Sequence, residues 1–321
     1  MRRTSLVASG SATGEGGEPP GSADGWSIAR LGASHCGVRS TAVTATLMDG
    51  RTLSRQLLES TAERVTGFHR SHGRRPCLAT VLVGEDPASH TYVRMKVNRC
   101  TEVGIDSRRF DLPTLTTTEQ LVRVLRDLSS DSAVDGILLQ HPTPPQIDEH
   151  AAFEAIDPSK DVDGVTGTSF AAMAFGYRGF ASCTPAAIMR LLDAYDVPLS
   201  GQRAVVVGRS AILGKPIGML LLARDATVTY CHSRTTDLAA HVAEADLVVA
   251  AVGVPHLVRG EWIKPGAVVV DAGYNAGNVG DVQAATAANR ASLITPVPGG
   301  VGPMTIAVLL AQTVDAAERH G

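Results

Sequence analysis

Apolar residues give the first outline of this chain. Between residues 53 and 68 they recur at helical spacing, at Leu57, Leu58, Ala62 and Val65, and residues 77–83 then form a continuous apolar run of strand length. The turn Gly84-Glu85-Asp86-Pro87 leads into a second helix over 88–103, where Asp86 can cap and Pro87 suits the first turn. Residues 121–128 and 186–194 read as helices, and 135–139 as a buried strand. Residues 204–207, 227–230, 247–251 and 268–271 are short β-branched or alanine-rich strands, each separated from the next by a helical span. Such alternation predicts an α/β protein with a mostly parallel sheet covered on both faces. A shift near Cys183-Thr184-Pro185 divides a first α/β lobe from a second, with no internal repeat between them.

Residues 1–43 break the pattern. They run in Ser, Ala, Gly, Thr, Glu and Pro without a helical or strand period and cannot bury enough apolar area to offset their ordering entropy. They read as a disordered extension, or as a start codon placed upstream of initiation near Val38 or Val43. The Arg2-Arg3 pair suggests an export signal, but the apolar run after it ends by Ala8 and acids follow at Glu15 and Glu18.

Composition narrows the class. A chain of 321 residues has room for two domains of about 150 residues, and 44% hydrophobic with 19% charged residues makes it globular. The net charge of −3 leaves no polybasic footprint, which argues against nucleic acid or membrane headgroups as partners. The longest apolar stretches, such as 247–254, fall well short of the roughly 20 residues that cross a bilayer. Five widely spaced cysteines (Cys36, Cys77, Cys100, Cys183, Cys231) include no Cys-x-x-Cys pair and read as reduced thiols of a cytoplasmic protein. Aromatics at 4% beside 32 glycines favour an α/β nucleotide binder over an aromatic-rich sandwich.

Three constellations carry chemistry. On the second helix Ser89, Tyr92 and Lys96 sit at i, i+3 and i+7, one narrow stripe beside the apolar stripe Val93, Val97 and Cys100. Lys96 then stands at the edge of an apolar wall, where desolvation favours a neutral amine usable in proton chemistry, or it snorkels from a solvated face. The strand at 135–139 stops abruptly at Gln140, and strand carboxyl ends line the crevice of a parallel sheet. Gln140 is placed to bond a substrate or to hold Lys96, unless it is a satisfied structural glutamine. In Lys160-Asp161-Val162-Asp163-Gly164 two carboxylates share a loop; without a third ligand they suit a heterocycle's N–H groups better than a metal.

The third is a strand, tight turn and helix start over 204–216, with Gly208, Arg209, Ser210 and Gly214. This geometry offers backbone N–H groups and a positive helix end to a pyrophosphate. It departs from G-x-G-x-x-G, since Ser210 replaces the second glycine and Gly214 comes one residue late, and Pro216 rules out a P-loop. After the next strand, His232-Ser233-Arg234-Thr235 stands where an NAD enzyme carries an acid, so donors and a cation favour the 2′-phosphate of NADP.

From about Thr44 onward the chain resembles the bifunctional methylenetetrahydrofolate dehydrogenase/cyclohydrolase (FolD) family. The resemblance is carried by residues 83–89 with Tyr92, Val93 and Lys96, by 136–140, 160–164 and 207–216, and above all by the eleven-residue string 295–305, Thr-Pro-Val-Pro-Gly-Gly-Val-Gly-Pro-Met-Thr. It implies an α/β fold of two lobes: a folate-binding catalytic domain, 44–184 with 304–321, and a Rossmann-like NADP-binding domain, 185–303. The C-terminal helix, from about Met304, is implied to return to the first lobe, and two subunits to form a homodimer.

The resemblance also assigns roles. Lys96 is similar to the family's catalytic lysine, with Tyr92 stacking on folate and Gln140 bonded to the lysine. Ser89 belongs to the substrate site, Asp163 matches the acid that holds the pterin ring, and Pro298 and Gly299 lie beside the folate. Gly208, Arg209 and Ser210 match the cofactor loop, Ser233 the contact near the 2′-phosphate, and Tyr274 a cofactor contact; no metal is implied. The implied activity is oxidation of 5,10-methylenetetrahydrofolate with NADP, then hydrolysis to 10-formyltetrahydrofolate. The alternatives are a monofunctional paralogue and a non-catalytic folate- or nucleotide-binding regulator, although a mere binder has no need of Lys96. Several positions depart from the family pattern: His141 in place of leucine, Ser182 of proline, Ala187 of glycine, Tyr274 of isoleucine, and 166–171 of the usual asparagine and glycine.

Overall fold

The computed structural model describes residues 44–320; the disordered extension expected over 1–43 lies outside the described residues. The chain begins with β1 (Thr46–Leu47), α1 (Gly50–His72), β2 (Cys77–Val83), α2 (Pro87–Val103), β3 (Asp106–Leu112), α3 (Thr118–Ser130) and β4 (Gly136–Leu139). Three helices follow: α4 (Glu149–Phe153), α5 (Gly167–Phe175) and α6 (Cys183–Ala194). The second half runs β5 (Arg203–Val207), α7 (Gly214–Leu222), β6 (Thr227–Cys231), α8 (Leu238–Glu244), β7 (Leu247–Ala250), β8 (Val268–Asp271), α9 (Ala284–Ala287), β9 (Leu293–Ile294) and α10 (Val301–His320).

Helix starts follow the capping residues. Asp49 accepts from the Arg51 and Thr52 amides at the head of α1, and Asp86 accepts from the Ser89 amide at 2.7 Å at the head of α2, with Pro87 in the first turn. The structure differs from the sequence reading at one connection and in strands that carry no apolar run. Between β7 and β8 the chain makes no α-helix, only a 3-10 turn at Gly260–Trp262. Strand β3 was not anticipated, because Asp106–Leu112 lies at a sheet edge with mostly exposed, polar side chains and no apolar run.

All strand pairs within the two sheets are parallel. The first sheet has the order β3-β2-β4 and the second β1-β9-β8-β7-β5-β6. Residues Thr46 and Leu47 therefore pair with β9 in the second sheet before the chain enters the first, and residue 185 falls inside α6.

Strands β7 and β8 are buried throughout and β5 from Ala204 onward, and their successive side chains point to opposite faces of the sheet, as the two-residue period requires. Ala204 and Val206, Leu247 and Val249, and Val268 and Val270 face a core shared with Leu78 and Leu138 of the first sheet. Val205, Val207, Val248, Ala250 and Val269 face the opposite side of their own sheet. The shared core is filled from α1, α6 and α10, so these helices lie between the two sheets. Helix α10 is apolar nearly all round, with Ile306 to Leu310 in an unbroken buried run, and it packs on α1 and α6. This is the return of the C-terminal helix to the first lobe. No helix among the described residues is long and apolar enough to cross a membrane.

Leu310 is fully buried in this shared core. Leu310→Ala is expected to lower unfolding free energy by about 3 kcal/mol, measured by urea denaturation. A loss below about 1 kcal/mol would mean that the helix does not anchor the two sheets.

Candidate active site

The carboxyl ends of both sheets supply the site, as open parallel sheets require. In the first sheet the Gln140 amide continues the ladder by donating to the Val81 carbonyl at 2.8 Å. Its side chain is then aimed by its own neighbour: Gln140 Nε2 donates to the His141 carbonyl at 2.7 Å, which leaves Oε1 to accept from Lys96 Nζ at 2.9 Å. Gln140 is buried and Lys96 half-buried. Gln140 is thus bonded to the lysine, with both ends of its amide partnered within the chain.

Charge around the pair is sparse and desolvated. Burial lowers the Lys96 pKa, and the charge of Asp163 acts against that shift. Burial raises the Asp163 pKa, opposed first by Lys96 and then by His141. The Cys183 thiol is pushed well above its ordinary value, first by burial and then by Asp163.

The two acids of the 160–164 loop have separated roles. Asp161 is fully buried and accepts from the backbone amides of Val165 and Thr166, at 3.1 and 2.9 Å, so it shapes its own loop. Asp163 is the acid whose charge acts on Lys96. Among the described residues no three His, Cys, Asp or Glu side chains cluster as metal ligands.

Gln312, which sequence reasoning passed over, holds this loop from below. Its Nε2 donates to the Val162 and Ala181 carbonyls at 2.7 and 3.1 Å, tying α10 to the residue before Asp163 and to the one before Ser182. The available signal was a lone amide following the apolar run Ile306 to Ala311 of α10. Ser182 donates to the Gly164 carbonyl at 2.7 Å, and Thr166 caps α5 through Ser169.

On α2, Ser89 is buried and Tyr92 half-buried, on the same stripe as Lys96. Burial raises the Tyr92 pKa, with a smaller contribution from Tyr274. Beside α1, Gly300 comes so close to Gly50 that a Cβ on Gly50 would stand 1.8 Å from the Gly300 carbonyl oxygen. That contact seats the Pro298-Gly299 turn against the α1 N-terminus, where Gly299 faces Arg51.

The second sheet provides a cradle of backbone. Gly208 has φ 132°, and a Cβ there would lie 2.2 Å from the Ala251 carbonyl oxygen. Gly214, at the head of α7, approaches the Gly208 carbonyl so closely that a Cβ would stand 2.5 Å from its oxygen. This accounts for the late glycine: the helix start packs directly on the strand end. Ser210 Oγ accepts from the Leu213 and Gly214 amides, both at 3.2 Å, and the Gly208 amide donates to the Cys231 carbonyl at 2.8 Å. That last bond sets the end of β6, and with it exposed Ser233 and Arg234, beside the loop. Arg209 is exposed as well, and neither guanidinium pairs with another described side chain. A backbone cradle without Cβ atoms and two unpaired guanidinium groups fit a phosphorylated dinucleotide.

Fold and site together define an α/β enzyme of two sheets, with a dinucleotide-type loop on one and a lysine-centred pocket on the other. Residues 48–163 match the family model described as tetrahydrofolate dehydrogenase/cyclohydrolase, catalytic domain, and residues 182–321 that described as tetrahydrofolate dehydrogenase/cyclohydrolase, NAD(P)-binding domain. The chain belongs to the tetrahydrofolate dehydrogenase/cyclohydrolase family. It is 99% identical over 279 residues to "Bifunctional protein FolD 1" of Salinispora arenicola, a match covering 87% of this chain and 100% of that protein. Among solved structures it is similar to the bifunctional FolD enzyme of Campylobacter jejuni, at 42% identity and TM-score 0.83, covering 86% of this chain and 99% of that one. The Trypanosoma brucei FolD, solved with NADP cofactor and inhibitor, is 39% identical with TM-score 0.83, covering 86% and 98%.

The lowered Lys96 pKa has a measurable sign. The folded chain gives up the Lys96 proton more readily than the unfolded chain, so the desolvated ammonium destabilises the fold below the lowered pKa, and this penalty is withdrawn as pH rises toward 10.5. The stability of Lys96→Met relative to wild type, from urea denaturation, is therefore expected to fall as pH rises through the lowered Lys96 pKa toward 10.5. A difference independent of pH would contradict the desolvated amine.

Proposed function

We propose that this protein oxidises 5,10-methylenetetrahydrofolate to 5,10-methenyltetrahydrofolate with NADP and then hydrolyses it to 10-formyltetrahydrofolate, both steps in one cleft. The observation that carries this reading is the Lys96 amine, desolvated, bonded to Gln140 and facing Asp163. The folate-binding catalytic part is residues 44–184 with 304–321, and the cofactor part is 185–303.

Tyr92 offers its ring to the folate, Ser89 and the Pro298-Gly299 turn border the same pocket, and Asp163 accepts N–H groups of the pterin. Gly208, Arg209 and Ser210 hold the cofactor phosphates, Ser233 and Arg234 the 2′-phosphate, and Tyr274 touches the cofactor. NADP, when bound, supplies the hydride acceptor for the methylene carbon. The chain's part in that transfer is orientation and exclusion of water.

For the hydrolytic step Lys96 has the leading role. Water adds to the methenyl carbon of the cation, and the neutral amine of Lys96 takes the proton released. As the bond from that carbon to N5 breaks, the hydroxyl becomes the formyl carbonyl and N5 gains a proton, so that one proton leaves overall. Gln140 keeps the amine pointed at this carbon, and the lowered Lys96 pKa enlarges the neutral fraction available near neutral pH.

The protein is further proposed to act as a homodimer in the cytoplasm. The cytoplasmic reading is supported by Cys77, Cys100, Cys183 and Cys231, all buried free thiols.

Lys96→Ala is expected to abolish hydrolysis of supplied methenyltetrahydrofolate, followed by loss of its absorbance. Hydrolysis near the wild-type rate would remove Lys96 from the mechanism. Assaying reduced nicotinamide in parallel separates a bifunctional enzyme from a monofunctional one.

A further inference from the structure

Tyr274 stands apart from the lysine-centred chemistry. It is among the large hydrophobic side chains left exposed, at 54%, and its ring meets that of Tyr92 with centroids 6.0 Å apart and planes at 83°. The two rings come from different lobes. Tyr92 rides on α2 beside the first sheet, and Tyr274 stands on the loop that leaves the carboxyl end of β8 in the second.

That loop is fixed by bonds that need no ligand. Tyr274 donates its hydroxyl proton to Asn278 Oδ1 at 2.5 Å, and the Asn275 amide donates to the Val279 carbonyl at 2.9 Å. Asn275 Nδ2 donates to Asp281 Oδ1 at 3.0 Å, while the other oxygen of Asp281 accepts from the Val252 and Gly253 amides at 2.7 and 2.9 Å. Asp271 closes the base, accepting from the amides of Gly273, Asp281 and Val282. The foot of the loop is thus tied to the ends of β7 and β8. Its ring is held in a set place with apolar surface still open, which is how a side chain awaiting a flat ligand is built.

We infer that Tyr274 is a folate-positioning and specificity-determining residue: with Tyr92 it forms a two-ring clamp for the folate ring system, so that the cofactor-side sheet contributes a wall to the folate pocket. The inference rests on the reading that Tyr92 faces folate, and it extends the role of Tyr274 beyond cofactor contact. A flat heterocycle stacked on one ring of a perpendicular pair meets the edge of the other, the offset and edge-to-face geometries that aromatic groups prefer.

The test isolates the folate step. Hydrolysis of supplied methenyltetrahydrofolate is measured with no nicotinamide nucleotide present, for wild type, Tyr274→Ala and Tyr274→Phe. Tyr274→Ala is expected to raise the folate KM about fivefold, with the loss concentrated in KM rather than kcat. Tyr274→Phe, which keeps the ring but loses the bond to Asn278, should bring KM back to within about twofold of wild type. A Tyr274→Ala KM indistinguishable from wild type in this assay, with a raised KM for NADP in the dehydrogenase assay, would overturn the inference and leave Tyr274 a cofactor contact alone. Equal losses in the Phe and Ala variants would overturn it too, since the ring would not be what matters. Wild-type protein that turns over no folate in either assay defeats the functional reading itself, so the two failures are told apart. Because the side chain is more than half exposed, its truncation opens no core cavity; Tyr274→Leu serves as a second ring-free variant with the same expected rise in KM.

Discussion

Taking a lysine amine out of water without a carboxylate bonded to it is unfavourable, and the Lys96 site is arranged around that constraint. Its one hydrogen-bond partner among the described residues is the neutral Gln140, whose amide is turned by the His141 carbonyl so that oxygen faces the amine. Asp163 acts on Lys96 through its charge, and both groups are drawn toward their neutral forms by burial. A bonded ion pair would have locked the lysine as an ammonium. A desolvated amine held by a neutral acceptor stays exchangeable, which proton chemistry needs.

The same constraint reaches into the fold. The pocket needs β4 to end at Gln140, α2 to project Lys96 and the 160–164 loop to present Asp163, with the loop joined to β4 by the Ile137 amide, which donates to the Lys160 carbonyl at 2.8 Å. The loop is shaped from within by Asp161 and held from below by Gln312. Helix α10 is therefore both the filling between the sheets and a support of the site. The sequence departures divide along this line: Ser182 and Thr166 are absorbed into loop and cap bonds and Ala187 into the core, whereas His141 and Tyr274 act on groups in the cleft.

How much of this was legible in the sequence follows from the physics of each signal. Buried parallel strands such as Cys77–Val83 announce themselves as apolar runs, and caps at Asp86-Pro87 mark a helix start. Lys96 and Gln140 were found because helical stripes and strand ends are local patterns. Edge strand β3 was hidden by its polar side chains, β1 and β9 by having two residues each, and the 3-10 connection by apolar residues that mimic a helix. The separate roles of Asp161 and Asp163 depend on which backbone amides turn toward each. The pairing of Tyr92 with Tyr274 and the reach of Gln312 to Val162 are contacts between remote segments, and no local pattern encodes them.

The central claim is that Lys96 is desolvated in the resting protein, and the chain allows a direct look. It contains four lysines, Lys96, Lys160, Lys215 and Lys264, beside 25 arginines. Protein labelled with 13C-lysine would give four Cε resonances to follow against pH, with Lys96 identified by its loss in Lys96→Met. The account predicts that the Lys96 resonance titrates below the ordinary lysine value of 10.5. A midpoint at or above that value would show a solvated or ion-paired ammonium and contradict the account.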